Sequence, residues 1–392
     1  AEIGGGFGGK TVVYLEPLAL MLSKKAGQAV RAVMTRDEVF KASGPTSGGA
    51  MTIKIGCTKG GKITAAEGSY YIQAGAFPGS PVINCCLCCF APYDIENQKA
   101  VGYDVVSNRP KAAAYRAPGS PISAFGVESV LDILAKKIGM DPLEFRRKNG
   151  AVEGSKTIMG SPHPSFGFIE TVEVLEAHDH MKHSLGPNQG RGVASGYWFN
   201  GGGESSATLH LNADGTAVVA TGSVDVGGSR ASMALMAAET LGIDYDQVRA
   251  IVTDTANVGY THVTGGSRVT LATGAAVIKA PDACIDELRK RAALTWDVDV
   301  DGVIWEDGFA KPASSNVGDF EPLSLGDITA KAAQTGGPIG AAGQVNAGGV
   351  SPGLATHVVD VEVDPETGKV TILRYTASQD VGRAIHPSYV EG

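Results

Sequence analysis

The chain has 392 residues, more than one hydrophobic core usually serves, and two or three domains are therefore expected. Its net charge of -8 argues against a nucleic-acid partner, because phosphate binding needs clustered Lys and Arg. No apolar run reaches the roughly 20 residues of a membrane span. The 53 glycines amount to about twice the usual share of roughly 7%, and they cluster in separate short loops.

The first part of the chain alternates between helical and strand patterns. These patterns predict a helix over residues 12–26, a strand over residues 30–36, a hairpin that turns at residues 59–62 and a helix over residues 120–138. Gly139 would end that last helix, and Asp141 followed by Pro142 would begin the next one, with Asp141 as the N-cap. Residues 1–155 are therefore predicted to form a first α+β domain.

The second part begins after a polar stretch, residues 156–189, which contains Gly, Pro and His and is predicted to be a linker. The patterns then predict a hairpin turn at Asp214-Gly215, helices over residues 232–241 and 269–291, and a long hairpin over residues 355–378. Residues 190–392 are therefore predicted to form a second domain. The predicted fold class is α+β, with strands and helices in both domains.

Other clusters suggest metal sites but fit them poorly. Four cysteines lie within residues 85–89, and since the plant-type ferredoxin spacing is absent, we interpret them as reduced, buried small side chains. His178, His180 and His183 are interpreted as solvent-exposed, because no carboxylate completes a metal site. Glu128, inside a predicted helix, is interpreted as a structural hydrogen-bonding residue.

The glycine-rich segment near residue 4 fits two nucleotide-binding patterns. Residues 4–11 match the P-loop, and Gly4, Gly6 and Gly9 match the dinucleotide fingerprint G-x-G-x-x-G. A P-loop requires a buried strand before it, and only three residues precede Gly4. A dinucleotide fingerprint requires an acidic residue about 20 positions later, and residues 23–31 contain none. A P-loop nucleotide-binding protein nevertheless stays the alternative from a different class.

Three more loops of this kind follow along the chain. We name the four segments loop 1 (residues 4–10), loop 2 (residues 114–121), loop 3 (residues 222–230) and loop 4 (residues 261–270). Loops 2, 3 and 4 each stand just before a predicted helix, where free backbone amides bind anionic or carbonyl-rich ligands and glycine allows their close approach. Four such loops predict one large polar cofactor that is bound from several sides.

Together the four loops resemble those of a known family. GGGFGGK in loop 1, AYRAPG in loop 2, TGSVDVGGSR around loop 3 and TGGSRVT in loop 4 are similar to cofactor loops in the molybdopterin-binding large subunit of the xanthine dehydrogenase, aldehyde oxidase and carbon monoxide dehydrogenase family. Residues 128–149 and 363–387 resemble the helices and the late hairpin of those proteins. The resemblance implies two molybdenum-cofactor-binding α+β domains of the large-subunit type.

The resemblance also implies roles for individual residues. Loop 1 would approach the molybdenum, with Phe7 lining the substrate pocket and the Gly8 amide near the oxo group of the metal. The implied cofactor-binding residues are Phe7, Gly8, Arg116, Ala117, Gly227, Gly228, Gly265, Gly266 and Ser267. The implied substrate pocket contains Phe7, Pro118 and Trp198. The cofactor would carry the redox chemistry, while the protein supplies position and electrostatics.

Several positions depart from the family pattern. Loop 3 contains VGGS where many relatives have Gly-Gln-Gly, so a side-chain contact with the cofactor would be lost. Ala117 stands where the carbon monoxide dehydrogenases have a copper-binding cysteine, which disfavours carbon monoxide as the substrate. Pro118 and Thr11 differ from the residues of xanthine-type enzymes and disfavour xanthine. The general-base glutamate of the family is expected beyond Gly392, so the chain is expected to be a fragment without a catalytic residue of its own.

By this resemblance the chain is expected to belong to a molybdenum hydroxylase, which hydroxylates an aldehyde or an N-heterocycle with water as the oxygen source. The implied cofactor is molybdenum-molybdopterin, with the cytosine dinucleotide as one form. Electrons would pass to partner subunits with 2Fe–2S clusters and FAD, in a dimer of heterotrimers. The expected location is the cytoplasm, with the periplasm as the alternative. A non-catalytic relative that keeps the fold is a further alternative.

Overall fold

The computed structural model describes residues 3–392, which form two compact units. The first unit consists of Phe7–Phe199 and Pro352–Gly382, and the second consists of residues 3–6, Asn200–Ser351 and Arg383–Gly392. The chain therefore leaves the first unit after residue 199 and returns to it at residue 352. The domain boundaries predicted from the sequence follow chain order, whereas these units interleave along the chain.

Helices lie in five of the twelve connections between consecutive strands of the described residues. In order, the α-helices of the described residues are α1 (Glu16–Ala26), α2 (Arg36–Ala42), α3 (Val82–Cys88), α4 (Ser120–Ile138), α5 (Pro142–Asn149), α6 (Phe168–Ala177), α7 (Ser229–Leu241), α8 (Gly274–Trp296), α9 (Leu325–Ala330), α10 (Ala332–Thr335) and α11 (Pro387–Glu391). A π-helical turn, Val269–Thr273, precedes α8. Within residues 3–392, no helix is long and apolar enough to cross a membrane.

The strands form two sheets in each unit, which confirms the predicted α+β class. In order, the strands are β1 (Gly49–Cys57), β2 (Ile63–Gly75), β3 (Asn97–Val106), β4 (Gln189–Trp198), β5 (Gly201–Leu211), β6 (Ala217–Thr221), β7 (Val248–Val252), β8 (Val303–Glu306), β9 (Phe309–Pro312), β10 (Leu323–Ser324), β11 (Ile339–Val350), β12 (Gly353–Val363) and β13 (Val370–Asp380). The first unit has the sheets β1-β2-β3 and β13-β12-β4, and the second has β11-β5-β6-β7 and β10-β9-β8. The pairs β2–β3 and β6–β7 are parallel.

The core of the first unit is formed by one face of β2 and one stripe of α4. Tyr70 and Ile72 are two residues apart on β2 and are both fully buried, as the period of a strand requires. Val127, Leu131 and Ala135 recur every four residues on α4 and are also fully buried. The helix predicted over residues 120–138 therefore turns one apolar stripe toward the core.

The core of the second unit lies between the sheet that contains β5 and β6 and the helices α7 and α8. Leu209 on β5, Leu241 on α7 and Leu288 on α8 are fully buried members of it. Helix α8 packs closely on β11, because a Cβ at Gly343 would collide with the carbonyl of Ala276. The loops that precede α7 and α8 are thus anchored at helices with buried inner faces.

The local signals around α4 and α5 are confirmed. Helix α4 spans the predicted residues, and Gly139 ends it with a φ of +70°, a left-handed conformation that favours glycine. Asp141 caps α5, since its Oδ1 accepts hydrogen bonds from the amides of Leu143 and Glu144 at 2.8 and 3.2 Å. The predicted hairpin between β1 and β2 also forms.

The strand predicted over residues 30–36 is wrong. The segment is irregular, and α2 begins inside it at Arg36. Thr35 Oγ1 accepts a hydrogen bond from the amide of Glu38, and the Glu38 carboxylate accepts one from the amide of Thr35. This capping box begins a helix where the sequence of residues 30–36 suggested a strand. The helix predicted over residues 12–26 begins only at Glu16.

The cysteine cluster lies in and beside α3, and its interpretation as buried thiols is confirmed for three members. Cys85, Cys88 and Cys89 are buried, and all are free thiols. Burial raises the pKa of each of these three thiols to about 12. They therefore stay protonated at neutral pH and pack as small apolar side chains.

The interpretation of the histidines is wrong for His180, which is buried. Its Nε2 lies 3.2 Å from Oδ2 of Asp360, and its Nδ1 lies 2.8 Å from Oγ1 of Thr376. His178 and His183 are exposed as expected. The sequence shows no sign of this burial, because Asp360 and Thr376 lie on β12 and β13, far along the chain.

Glu128 is a structural residue, as predicted. Its carboxylate, on α4, accepts hydrogen bonds from Nε of Arg146, the hydroxyl of Tyr93 and the amide of Ser195, at 2.8, 2.7 and 2.8 Å. All these groups are buried, so the contacts fix α4 against α5 and β4.

Candidate functional site

Loop 1 and loop 2 meet in the first unit. The amide of Arg116 donates a hydrogen bond to the carbonyl of Phe7 at 2.7 Å. A Cβ added to Gly8 would lie 3.0 Å from the carbonyl oxygen of Ala114, so the two backbones approach closely only because residue 8 is glycine. Phe7 is 63% exposed. The structure thus brings together Phe7, Gly8 and Arg116, three of the residues expected around the metal.

The backbone of these two loops is strained at the same place. The φ angle is +53° at Phe7, +25° at Arg116 and +52° at Ala117. Left-handed conformations cost L-residues about 1–3 kcal/mol each, and such strain concentrates at ligand and active sites. The strained residues are all members of the expected cofactor set, and the surrounding contacts must stabilise them.

The end of loop 2 is anchored in the core of the first unit. The Cys85 thiol donates to the carbonyl of Gly119 at 3.3 Å, and the Ser120 hydroxyl donates to the carbonyl of Tyr197 at 2.6 Å. Pro118 is partly buried between these anchors and Arg116. Trp198, next to Tyr197, is also partly buried and stacks on Phe199, with the ring centroids 4.4 Å apart.

Loop 3 folds around the carboxylate of Asp225 in the second unit. Oδ1 of Asp225 accepts hydrogen bonds from the amides of Gly227, Gly228 and Ser229 at 3.1, 2.7 and 3.0 Å. Oδ2 accepts one from Nε of Arg230 at 2.7 Å. The N-terminus of α7, which the sequence suggested as an anion site, therefore already holds an anion from its own chain.

The electrostatics of loop 3 agree with this geometry. Burial by itself would raise the pKa of Asp225, but hydrogen bonds from Arg230 and from the three amides lower it from 3.8 to about 2. The carboxylate is therefore ionised at any physiological pH. Asp225 was not among the residues expected from the sequence, although an acidic residue just before two glycines and a helix is a recognisable capping signal.

A cavity of about 570 Å³ lies beside loop 3. Residues 225, 227 and 228 of the loop line it, together with Arg230, Arg249 and Tyr389. Tyr389 covers Gly228, because a Cβ at Gly228 would lie 2.5 Å from Cε2 of its ring. The Tyr389 ring also stacks on His386, with 3.9 Å between centroids. The two guanidinium groups make one side of the cavity suitable for an anionic group.

Loop 4 presents uncrowded backbone in the second unit. Gly266 has a φ of +71°, and no atom lies within 4 Å of a Cβ placed on it. Ser267 follows with a φ of +61° and an exposed side chain. Two successive left-handed residues form a tight turn, and glycine at the first position lets a ligand come close to the backbone. Gly265 precedes them and is partly buried.

Arg268 attaches loop 4 to β5 through hydrogen bonds. Its side chain is buried, and Nε, Nη1 and Nη2 donate to the carbonyls of Gly202, His262 and Glu204 at 2.9, 3.1 and 2.6 Å. Burial lowers the pKa of this guanidinium. Arg268 was not predicted, because most of its acceptors belong to β5, more than 60 positions earlier in the chain.

The P-loop interpretation of loop 1 does not fit the structure. A P-loop leads directly into a helix, but α1 begins only at Glu16, several residues after Thr11. The hydroxyl of Thr11 donates to the carbonyl of Gly8 at 2.8 Å instead of facing a metal site. Among residues 3–392, no group of His, Cys, Asp or Glu is arranged to bind a metal ion.

The geometry describes an α+β protein with strained, closely fitted loops 1 and 2 in one unit, and with loops 3 and 4 at the starts of helices in the other. Two family models, both described as a molybdopterin cofactor-binding domain, match residues 1–150 and 172–392. The chain therefore belongs to the molybdopterin cofactor-binding family of molybdenum-binding subunits, as the resemblance of its loops implied.

Curated relatives support the same assignment. The large subunit of nicotine 6-hydroxylase from Paenarthrobacter nicotinovorans is 26% identical over all of this chain and 52% of its own length. A putative xanthine dehydrogenase molybdenum-binding subunit of Escherichia coli K12 is 28% identical over all of this chain and 55% of its own length. An aldehyde oxidoreductase molybdenum-binding subunit of the same strain is 27% identical over 98% of this chain and 52% of its own length. The chain spans about half the length of the curated relatives it matches.

Solved structures show the same fold. Quinoline 2-oxidoreductase from Pseudomonas putida 86 matches all of this chain and 55% of its own, with a TM-score of 0.84 and 21% identity. Carbon monoxide dehydrogenase from Oligotropha carboxidovorans matches all of this chain and 54% of its own, with a TM-score of 0.87 and 21% identity.

The described residues fit a molybdopterin cofactor at some loops better than at others. The open space at Gly266, the exposed hydroxyl of Ser267 and the guanidinium groups beside loop 3 suit a phosphate-bearing pterin. The amides of Gly227 and Gly228 already donate to Asp225. They can therefore donate to a cofactor only if Asp225 moves. Without that movement Gly227 offers close approach, whereas Gly228 lies under the Tyr389 ring.

Proposed function

We propose that this chain is the cofactor-binding part of a molybdenum hydroxylase large subunit, which hydroxylates an aldehyde or an N-heterocycle with water as the oxygen source. The observation that carries the proposal is the match of two molybdopterin cofactor-binding domains, which together contain all four loops. The bound cofactor supplies the oxygen-transfer and two-electron chemistry, and the protein supplies position and charge.

Loops 1 and 2 are proposed to form the substrate side of the site. The exposed ring of Phe7 lines the pocket, together with Pro118 and Trp198. The close contact between the two loops fixes Gly8 and Arg116, with Ala117 beside them, and these residues would hold the part of the cofactor that carries the metal. Because the backbone there is already strained, little reorganisation is needed when the ligand binds.

Loops 3 and 4 are proposed to bind the pterin and its phosphate. Gly265 and Ser267 offer backbone and hydroxyl donors, Gly266 lets the ligand come close to the backbone, and Arg230 supplies a positive charge at the cavity beside loop 3. Gly227, which has open space where a Cβ would stand, lets the pterin approach the N-terminus of α7, and Gly228 does the same once the Tyr389 ring that covers it moves aside. We further propose molybdopterin itself or its cytosine dinucleotide as the form that is bound.

The general base is proposed to be a glutamate outside residues 1–392. Glu128 cannot serve, because its carboxylate is buried and accepts hydrogen bonds from Arg146, Tyr93 and the amide of Ser195. A base must reach the proton that it removes, and these contacts of Glu128 lie inside the core of the first unit.

The substrate class follows from the relatives and from loop 2. Two of the similar proteins are named for nicotine and for aldehydes, and these compounds represent the two proposed classes. Ala117 has no thiol for copper, so we do not propose carbon monoxide. Pro118 and Thr11 lack the groups expected in xanthine-type enzymes, so xanthine is also disfavoured.

The electron path is proposed to leave this chain for partner subunits. The similar proteins are named as large or molybdenum-binding subunits, which supports partners that carry 2Fe–2S clusters and FAD. We propose a dimer of heterotrimers in the cytoplasm, with the periplasm as the alternative.

The direct test uses the whole protein, purified with the subunits that accompany it. We expect molybdenum and pterin in equal amounts, and oxygen from isotopically labelled water in the product of an aldehyde or an N-heterocycle. Assembly with partner subunits but without pterin would contradict the hydroxylase and support the non-catalytic relative.

A matched set of variants separates the hydroxylase from the P-loop alternative. Gly266→Val places a branched side chain where the cofactor approaches and should lower the pterin content at least tenfold, whereas Lys10→Ala should leave it unchanged. Gly139→Val imposes the same left-handed strain, since its φ is +70°, but lies outside the four loops and is the control. Binding of ATP with Mg²⁺ that disappears in Lys10→Ala would instead favour a nucleotide-binding protein.

A further inference from the structure

A continuous chain of buried polar side chains connects loop 3 to loop 4. Ser223 Oγ, in loop 3, lies 2.7 Å from Oγ1 of Thr273, which lies 3.2 Å from Oγ of Ser205 on β5. Ser205 Oγ also accepts a hydrogen bond from Nη2 of Arg268, in loop 4, at 2.9 Å. The exposed fractions of these four residues are all 5% or less. We call Ser223, Thr273, Ser205 and Arg268 the relay.

The two end members of the relay belong to the loops themselves, Ser223 to loop 3 and Arg268 to loop 4. Ser223 also donates its amide to Oγ1 of Thr221, the last residue of β6, at 2.8 Å. Arg268 donates to three carbonyls besides Ser205, and the carbonyl of His262 among them belongs to loop 4 itself. A change in the position of either end must therefore move backbone in its loop.

Thr273 is the central member of the relay. It is the last residue of the π-helical turn that leads from loop 4 into α8, and it is fully buried. Its single hydroxyl lies within hydrogen-bond distance of both serines, one on β5 and one in loop 3. Helical turns of this type are rare and are found mostly at functional sites.

Core packing alone does not explain the relay. Four buried polar side chains give less stability than apolar residues of the same volume, because each must first be removed from water. A fully satisfied buried network does, however, select one arrangement of the elements that it joins, since every alternative leaves a group unpaired. The relay joins two loops that carry few apolar contacts of their own.

We propose that the relay sets the spacing between loop 3 and loop 4, so that both are positioned for one ligand before it binds. Its four members are positioning residues. The identity of the ligand rests on the function proposed above, but the mechanical connection between the loops does not. Because the loops share Thr273, loss of its hydroxyl loosens both of them.

The test is amide hydrogen exchange, measured residue by residue by mass spectrometry on the whole protein without cofactor. Thr273→Val keeps the side-chain shape and removes the hydroxyl. We expect exchange to become about tenfold faster at the amides of Gly228 and Ser229 in loop 3 and of His262 in loop 4, because each loop loses one hydrogen bond of Thr273, worth about 1.4 kcal/mol. These amides are reporters because each donates a hydrogen bond.

Two controls keep the test specific. Thr273→Ser restores the hydroxyl and should restore slow exchange in both loops. Thr240→Val removes a hydroxyl that donates to the carbonyl of Met236 within α7, and it should leave both loops unchanged. Faster exchange in only one loop, or equal effects of Thr273→Val and Thr240→Val, would overturn the proposal.

A double-mutant cycle tests the connection itself. Ser223→Ala alone should speed exchange in loop 3, but it should add nothing in the Thr273→Val background, because the partner hydroxyl is already missing. Additive effects of the two changes would contradict a shared network. If the wild-type protein proves to hold no pterin, the proposed function fails, while these exchange results still decide whether the relay exists.

Discussion

At the scale of single residues, Asp225 determines how loop 3 can be used. Its carboxylate satisfies three amides at the start of α7 and also contacts Arg230. Loop 3 is therefore complete before any ligand arrives, and its shape depends on one ionised group. A charge in this position stabilises the helix N-terminus as well as the loop.

We predict that Asp225→Asn removes a pH-dependent part of the stability. The pKa of Asp225 is lowered from 3.8 to about 2 in the folded state, so its contribution of about 2 kcal/mol is present above pH 4 and is lost as the pH falls toward 2. Urea unfolding of wild type and variant should differ most near pH 6, and the difference should shrink between pH 4 and pH 3.

Comparing the two proteins isolates Asp225, because all other carboxyl groups are common to both. A difference in unfolding free energy that stays constant from pH 6 to pH 3 would show that the carboxylate is not stabilised by its partners.

At the scale of elements, Gly119 shows how closely loop 2 is fitted to α3. Its φ is +95°, and a Cβ there would lie 2.5 Å from the carbonyl oxygen of Pro81 and 2.8 Å from the amide nitrogen of Cys85. We predict that Gly119→Ala lowers the free energy of unfolding by about 3 kcal/mol, because it adds a collision with the backbone of α3 to the strain of a left-handed residue.

Gly139→Ala is the matched control for this prediction. Gly139 has a φ of +70° but no neighbour within 4 Å of an added Cβ, so only the conformational strain of about 1 kcal/mol applies. Urea unfolding measures both variants, and equal losses would show that α3 yields to the new methyl group without cost.

Elements were predictable from the sequence where their signals are local. The stripe on α4, its terminal Gly139 and the cap at Asp141 need only neighbouring residues, and all are confirmed. The strand predicted before α2 was wrong because the sequence of residues 30–36 outweighed the capping box at Thr35. The capping box was also a local signal, since it consists of Thr35 and, three residues later, Glu38.

The parts of the site that could not be predicted from the sequence depend on contacts between residues far apart in the chain. The four loops and their glycines were identified by pattern and by resemblance. Arg268 and Thr273 gain their importance from β5, and His180 is buried only because Asp360 returns beside it on β12. Such pairings across the chain leave no periodic mark near the residues themselves.

At the scale of the whole molecule, the first unit contains its entire core although its sequence is interrupted. Trp198 at the end of β4 is the register partner of Gly353 at the start of β12. We predict that residues 7–382, with residues 199–352 replaced by an Asn-Gly turn, still unfold cooperatively on heating. The turn joins two antiparallel strands at their natural ends, and circular dichroism would follow the transition.

The control for this prediction is a chain that stops at residue 198. It lacks β12, which supplies the buried Leu354 and Val358 to the same core and pairs with β4. We expect no cooperative transition from it. If this shorter chain unfolds as cooperatively as the joined one, the sheet β13-β12-β4 is dispensable for the first unit.

The interleaved course of the chain also has a consequence during synthesis. When β4 leaves the ribosome, its partner β12 does not yet exist, and it follows only after residues 199–352 have been translated. At about 5–20 residues per second, this delay lasts roughly 8–30 s, far longer than a hairpin needs to form. During this interval β4 has no strand partner, because it pairs only with β12 in the sheet β13-β12-β4 of the described residues. This nascent chain is therefore where we expect chaperones to be needed most.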